Sequence, residues 1–182
     1  MKRGTALLLL LCAGCGPADP PAPVSPAART NPGTPGPEST PECLKRAEAL
    51  MKAERLAEAG AAFREILARE PRHIEALTGL GRIASRMGDA ASALQFLTRA
   101  NELQPDNPAL LNHLGAVLVM NGRRTEAAKV FARSQELRPE DPQVAINAAL
   151  NLADLNQWAP AREQARRAAE LLPKDPTPWL VL

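Results

Sequence analysis

Four prolines stand 34 residues apart, at Pro71, Pro105, Pro139 and Pro173, and four alanines keep the same step, at Ala59, Ala93, Ala127 and Ala161. Two unrelated residue types recurring in phase, four times each, define a structural repeat. A fixed period of this length is the mark of a stacked helix–turn–helix array. Each unit is too small to bury its own apolar face, so neighbours must stack to make a continuous core. The product is a long surface suited to holding another protein, with no enclosed pocket required by the architecture.

The chemistry of one row supports helices independently of the period. Leu111, Leu114, Val117 and Leu118 form one apolar stripe at helical spacing within residues 108–121. Asn121-Gly122 predicts the end of that helix, the glycine being free to take the left-handed conformation of a C-terminal cap. Thr125-Glu126 opens a second helix, expected to carry Ala127, Val130, Phe131 and Leu137 inward. Pro139 closes it, because proline disfavours helix in the residue before it. Pro160 falls near the start of a second helix, where a missing N–H costs little. The recurring small residues mark close helix–helix contacts that a larger side chain would overpack.

Set out in rows of 34, the chain aligns Leu80-Gly81 with Leu114-Gly115, Gly88 with Gly122, and Phe63 with Leu97 and Phe131. Glu102-Leu103, Glu136-Leu137 and Glu170-Leu171 share a column two residues ahead of each proline. This pattern resembles the tetratricopeptide repeat (TPR) over residues 40–173. The first and fourth rows depart from it, with Arg46-Ala47 and Ala148-Ala149 in the Leu-Gly place and Ala165 in the aromatic place. The resemblance implies an all-α solenoid of about four helix–turn–helix hairpins, with rows at 40–73, 74–107, 108–141 and 142–175. A partial fifth follows at 176–182, placing Trp179 in the column of Leu77 and Leu111, and Leu182 in that of Leu80 and Leu114. Trp179 to Leu182 is apolar on every side. It reads either as a lid over the fourth hairpin, as an edge for self-association or a partner, or as a prematurely ended reading frame.

Residues 1–14 are of another kind. Lys2 and Arg3 precede an apolar run from Ala6 to Leu11, and Ala13-Gly14-Cys15 follows. That order is a secretory signal, its apolar run being too short to span a bilayer. Ending at cysteine, it resembles a bacterial lipoprotein signal, which implies cleavage before Cys15 and lipidation there. More than one acyl chain, at about 0.8 kcal/mol per buried methylene, makes a stable anchor. Gly16, rather than aspartate, after the cysteine points to the outer membrane by the same resemblance; an ordinary secreted protein and an uncleaved or misread start are the alternatives. The segment 15–39 then serves as a tether. Nine prolines in positions 16–41 predict an extended, disordered spacer, reaching at most ~80 Å in polyproline geometry.

Composition excludes several functions. The net charge of +2 comes from interspersed acids and bases, which gives no footprint for nucleic acid. Three Phe, two Trp and no Tyr provide no stacking platform for single strands. His73 and His113 have no second ligand at helical spacing, so no metal site is expected. His73 falls in a turn between rows, and His113 beside the core stripe of a first helix, facing solvent or a partner. Neither a nucleophile elbow nor a phosphate-cradling glycine loop is present, and neither a cofactor nor enzymatic activity is expected. Cys43, once Cys12 is removed and Cys15 lipidated, either fills the apolar place of Leu77 and Leu111 or pairs with another chain.

By the resemblance, the first helix of each hairpin lines a concave groove. Row one contributes Lys45, Glu48 and Lys52, and row two Thr78, Arg82, Ser85 and Arg86. Row three contributes Asn112, His113, Ala116, Val119 and Met120, and row four Ile146, Asn147, Leu150 and Asp154. Leu44 and Glu48 occupy places where one specialised branch of the family carries a clamp for a terminal carboxylate, so that clamp is absent. The face is basic at Arg82 and Arg86 and more apolar further on, which suits an extended segment or amphipathic helix of a partner. Against this stands a solvated face for the two arginines, and packing on neighbouring helices for Ile146 and Leu150. Two functions remain: a membrane-anchored adaptor of the bacterial envelope, similar in layout to TPR lipoproteins that assemble pilus or outer-membrane complexes, or a dedicated non-catalytic chaperone or subunit of one exported enzyme.

Overall fold

The computed structural model describes residues 39–173; the signal segment, Cys15, the tether and Trp179 to Leu182 lie outside the described residues. Eight helices run in order with no strand among the described residues: α1 (Thr40–Lys52), α2 (Leu56–Arg69), α3 (Ile74–Arg86), α4 (Ala90–Leu103), α5 (Pro108–Met120), α6 (Arg124–Leu137), α7 (Pro142–Asp154) and α8 (Trp158–Leu171). Odd-numbered helices start 34 residues apart, and so do even-numbered ones. The result is a TPR-type helical solenoid.

Helix ends repeat as faithfully as helix starts. Ser39, His73, Asn107 and Asp141 occupy one column and cap α1, α3, α5 and α7. Asn107 Oδ1 accepts from the Leu110 N–H at 3.2 Å, and Asp141 Oδ1 from the Gln143 N–H at 3.0 Å. His73 Nδ1 accepts from the Ala76 N–H at 3.3 Å, so this turn histidine is a helix cap. At Ser39 the reciprocal half of a capping box is visible, its N–H donating to Glu42 Oε2 at 3.0 Å. Each cap satisfies a donor that a helix start leaves orphaned. Each even helix stops two residues before the row's proline, and the residue between leaves helical geometry, as at Gln104 (φ −144°) and Arg138 (φ −140°).

The turn inside each hairpin needs one residue with positive φ. Gly88 (φ 78°) and Gly122 (φ 74°) supply it without strain in the middle rows. Glu54 (φ 60°) and Asn156 (φ 59°) hold the same place in the outer rows. Asparagine tolerates that conformation, whereas glutamate is strained there.

Packing follows from the small-residue columns. Ala59, Ala93, Ala127 and Ala161 are all fully buried. Gly81 and Gly115 face Leu97 and Phe131 across their hairpins so closely that a Cβ on Gly81 would lie 2.6 Å from Leu97 Cγ. Cys43 is fully buried in the same column as Leu77 and Leu111. Leu137 departs from expectation: it is 36% exposed, whereas Leu103, at the same place on α4, packs against the core.

Successive odd helices touch one another (α1 with α3, α3 with α5, α5 with α7), while the even helices lean mainly on their odd neighbours. A stack that is tighter along one layer curves toward it, which puts the odd helices on the inner side.

Candidate partner-binding groove

The inner side carries three concavities in a row. The first, of 390 Å³, is bounded by Glu48, Met51, Lys52 and Glu54 together with Arg82 and Arg86. The second, of 230 Å³, is lined by Arg82, Ser85 and Arg86 of α3, by His113, Ala116 and Val117 of α5, and floored by Leu97 of α4. In the third, of 150 Å³, Ala116 and Val119 of α5 face Asn147, Leu150, Asn151 and Asp154 of α7 over Phe131 of α6.

The second and third are one pocket built twice. Adding 34 to Arg82, Ser85, Leu97, His113, Ala116 and Val117 gives Ala116, Val119, Phe131, Asn147, Leu150 and Asn151, all of which line the third. Ala116 is shared between them. The first shares these places as well, with Glu48, Met51, Lys52 and Arg82 one row before Arg82, Ser85, Arg86 and Ala116, so the backbone repeats the site in successive rows and the side chains give each a different chemistry.

Charge is concentrated at one end. Arg86 is held by Glu54, its Nη2 donating to Oε2 at 2.6 Å across the first two rows. Arg82 is exposed and has no ion pair among the described residues. No carboxylate lines the second pocket. Opposite Arg82 stands His113, which is largely buried; burial first, and then the Arg82 guanidinium, hold its imidazole below the ordinary value of 6.5. It is therefore neutral near pH 7 and leaves Arg82 as the dominant charge of that pocket. At the far end Asp154 accepts from Arg124 Nε at 3.0 Å, so its charge is compensated.

Other expected groove residues fall into place unevenly. Lys45, Glu48 and Lys52 are exposed along α1. Thr78 is half-buried and spends its hydroxyl on the Ile74 carbonyl at 2.8 Å. Asn112 accepts from Asn147 Nδ2 at 2.9 Å, a polar link between α5 and α7. Ser85 donates to the Met120 sulfur at 3.2 Å, linking α3 and α5, while Met120 and Leu150 each remain 46% exposed. Ile146 is different: only 6% exposed, it packs with Ala145 and Ala168, with Leu172 against them. Its side chain points toward α8 rather than the groove, so it belongs to the core.

The pocket floors, Leu97 and Phe131, come from even helices and were absent from the sequence-derived face, which drew on odd helices alone. So was Asn151. It is 1% exposed in a column otherwise filled by Ala49, Ile83 and Val117. Its Nδ2 donates to the Arg124 carbonyl at 3.0 Å, and its Oδ1 has no partner among the described residues. A polar residue in an apolar column was the available signal.

A larger concavity, of 600 Å³, lies elsewhere, between Arg46 and Leu50 of α1 and Glu58, Ala61, Ala62 and Glu65 of α2. Its charges are paired internally, Arg46 with Glu65 at 2.8 Å and Arg55 with Glu58 at 2.6 Å. Among the described residues no group of His, Cys, Asp and Glu is placed to hold a metal ion, and no helix is long and apolar enough to cross a membrane.

A family model described as the cytochrome c-type biogenesis protein H TPR domain matches residues 37–178. No curated protein sequence matches the chain. Among solved structures, the chain is similar to YrrB, described as a TPR protein with an unusual peptide-binding site. The two are 20% identical with a TM-score of 0.68, over 79% of this chain and 74% of that one. It is also similar to PilF of Pseudomonas aeruginosa, at 19% identity and a TM-score of 0.72 over 78% of this chain and 65% of PilF. MamA of Desulfovibrio magneticus RS-1 gives 19% and 0.70, over 76% and 78%.

Proposed function

The chain belongs to the family of the cytochrome c-type biogenesis protein H TPR domain, and from that premise we propose that it is a non-catalytic adaptor which holds a segment of a partner protein along its inner face. The observation that carries this reading is the pocket built twice around Ala116. A repeated pocket on one continuous face suits a linear polypeptide, which presents side chains at regular intervals. YrrB, of the same fold, is described as having an unusual peptide-binding site, which supports peptide capture by an array of this fold. In this proposal Cys15 carries the lipid, the proline-rich segment gives reach, and the repeats work on the periplasmic side of the outer membrane as a scaffold for an envelope complex.

One observation favours the second reading, a dedicated chaperone for an exported client: the matching family takes its name from a biogenesis protein. The two readings share the groove and differ in the number of clients. Photo-crosslinking in cells from a reactive residue at Ser85, with Arg99 on the outer side of α4 as control, tests both. Adducts from Ser85 and none from Arg99 are expected. Several envelope proteins among the adducts favour the scaffold, and one exported protein favours the chaperone. Adducts from Arg99 alone would overturn the groove.

A further inference from the structure

The two equivalent pockets are asymmetric in chemistry, and that asymmetry describes a ligand. Building on the groove reading above, we infer that the captured segment is extended and carries an acidic side chain paired with Arg82 and, about three residues away, an aliphatic side chain seated between Val119, Phe131 and Leu150.

The acidic half follows from the second pocket. Arg82 stands at its rim with no ion pair among the described residues, and no carboxylate lines that pocket. Its floor is Leu97 and Val117, both almost fully buried. An exposed guanidinium at an apolar rim, with no ion pair of its own, binds a carboxylate through paired hydrogen bonds. Arg86 reinforces the preference only in part, since Glu54 already occupies it. A basic segment would meet Arg82, Arg86 and the nearby Lys52, which outnumber Glu48 and Glu54 at that end, and is disfavoured.

The aliphatic half follows from the third pocket. Moving one row along, Arg82 becomes Ala116, Ser85 becomes Val119, and Ala116 becomes Leu150. The cation is gone and aliphatic carbon takes its place, while Leu150 and Met120 leave apolar surface exposed beside the opening. Asp154 adds no free charge because Arg124 holds it. Such a site gains from burying an aliphatic side chain and loses from burying a charge.

Spacing links the halves. Packed helices lie about 8–10 Å apart, which sets the distance between pockets in adjacent rows. In an extended polyproline-type segment, residues three apart share a face and lie about 9 Å apart. Acid and aliphatic three residues apart therefore reach both pockets at once.

The test is selection of a random twelve-residue phage library on the immobilised full chain, followed by fluorescence anisotropy with the enriched peptides. Enrichment of Asp or Glu three residues from Leu, Ile, Val or Met is expected. Replacing the peptide's acid by its amide should weaken binding to the wild type about tenfold, and by less than about twofold to Arg82→Glu, the coupling a direct pair produces. Leu150→Asp should lose the aliphatic preference and keep the acidic one. Both side chains are exposed, and circular dichroism checks that the variants fold. Peptides that bind Arg82→Glu as tightly as wild type, or that are rich in Lys and Arg, would overturn this inference and leave the groove reading standing. A library that yields no enriched peptide overturns both.

Discussion

Phe131 rests its ring directly on Gly115: a Cβ added to that glycine would lie 2.5 Å from Cε1, and the ring is only 1% exposed. Gly115→Ala gains about 1 kcal/mol of helix propensity but overpacks a closed contact, typically costing about 1–3 kcal/mol. The expected result is a lower melting temperature by circular dichroism. Gly60→Ala is the contrast. Its nearest neighbour would be the Arg64 guanidinium at 3.4 Å, the movable end of a long side chain. That variant should melt higher.

Glu54 takes a left-handed conformation that its counterparts fill with glycine or asparagine. Glu54→Gly removes about 1 kcal/mol of backbone strain and gives up an exposed ion pair with Arg86, which contributes little to stability. A melting temperature raised by a few degrees is expected. A fall would mean that the pair outweighs the strain.

His113 makes stability depend on pH. Burial and Arg82 lower its pKa in the folded chain below 6.5, so below that pH the unfolded chain binds more protons and stability drops. The contribution is constant above about pH 7.5 and falls as pH passes from about 6.5 down through the folded value. Carboxylates with lowered values, such as Glu42 and Glu126, act below their ordinary 4.5 and leave this window clear. Urea denaturation at pH 7 and pH 5 should show the loss, and His113→Asn, which copies the next row's Asn147, should remove most of it.

Asn151 buries an acceptor without a partner among the described residues. Asn151→Val restores the residue type of the preceding row and eliminates a penalty of about 1–3 kcal/mol, against one lost bond to the Arg124 carbonyl. We expect a stabilised protein in denaturant titration. Unchanged or lower stability would indicate that the bond matters more than the orphaned oxygen.

Cys15→Ala should release the protein from membranes into the soluble envelope fraction. Fractionation with a salt wash, followed by immunoblotting, decides it: a variant that still pellets with membranes would remove the lipid anchor from the proposed function.

Much of the fold was legible because its determinants are local. The proline column ends helices through contacts with the preceding residue, and Gly88 and Gly122 satisfy turns that need positive φ. The caps were equally local yet were missed. Ser39, His73, Asn107 and Asp141 share a role and not a residue type, so an identity-based period passes over them. Leu137 was misjudged because helical periodicity assigns a face without showing what covers it. Ile146 shows the same limit. Its place on α7 suited the groove, but α8 draws it into the core.

By itself the sequence determined the helices, their ends and the 34-residue step, since these follow from backbone preferences and from apolar spacing along a single stretch of chain. Only the tertiary structure decided which side chains share a pocket. Arg82, Leu97 and His113 are far apart in sequence and meet because consecutive rows stack. The same stacking repeats that pocket one row on with Ala116, Phe131 and Asn147 in their places. Which residues face each other across rows depends on how the helices are oriented in the stack, and packing of the whole array sets that orientation.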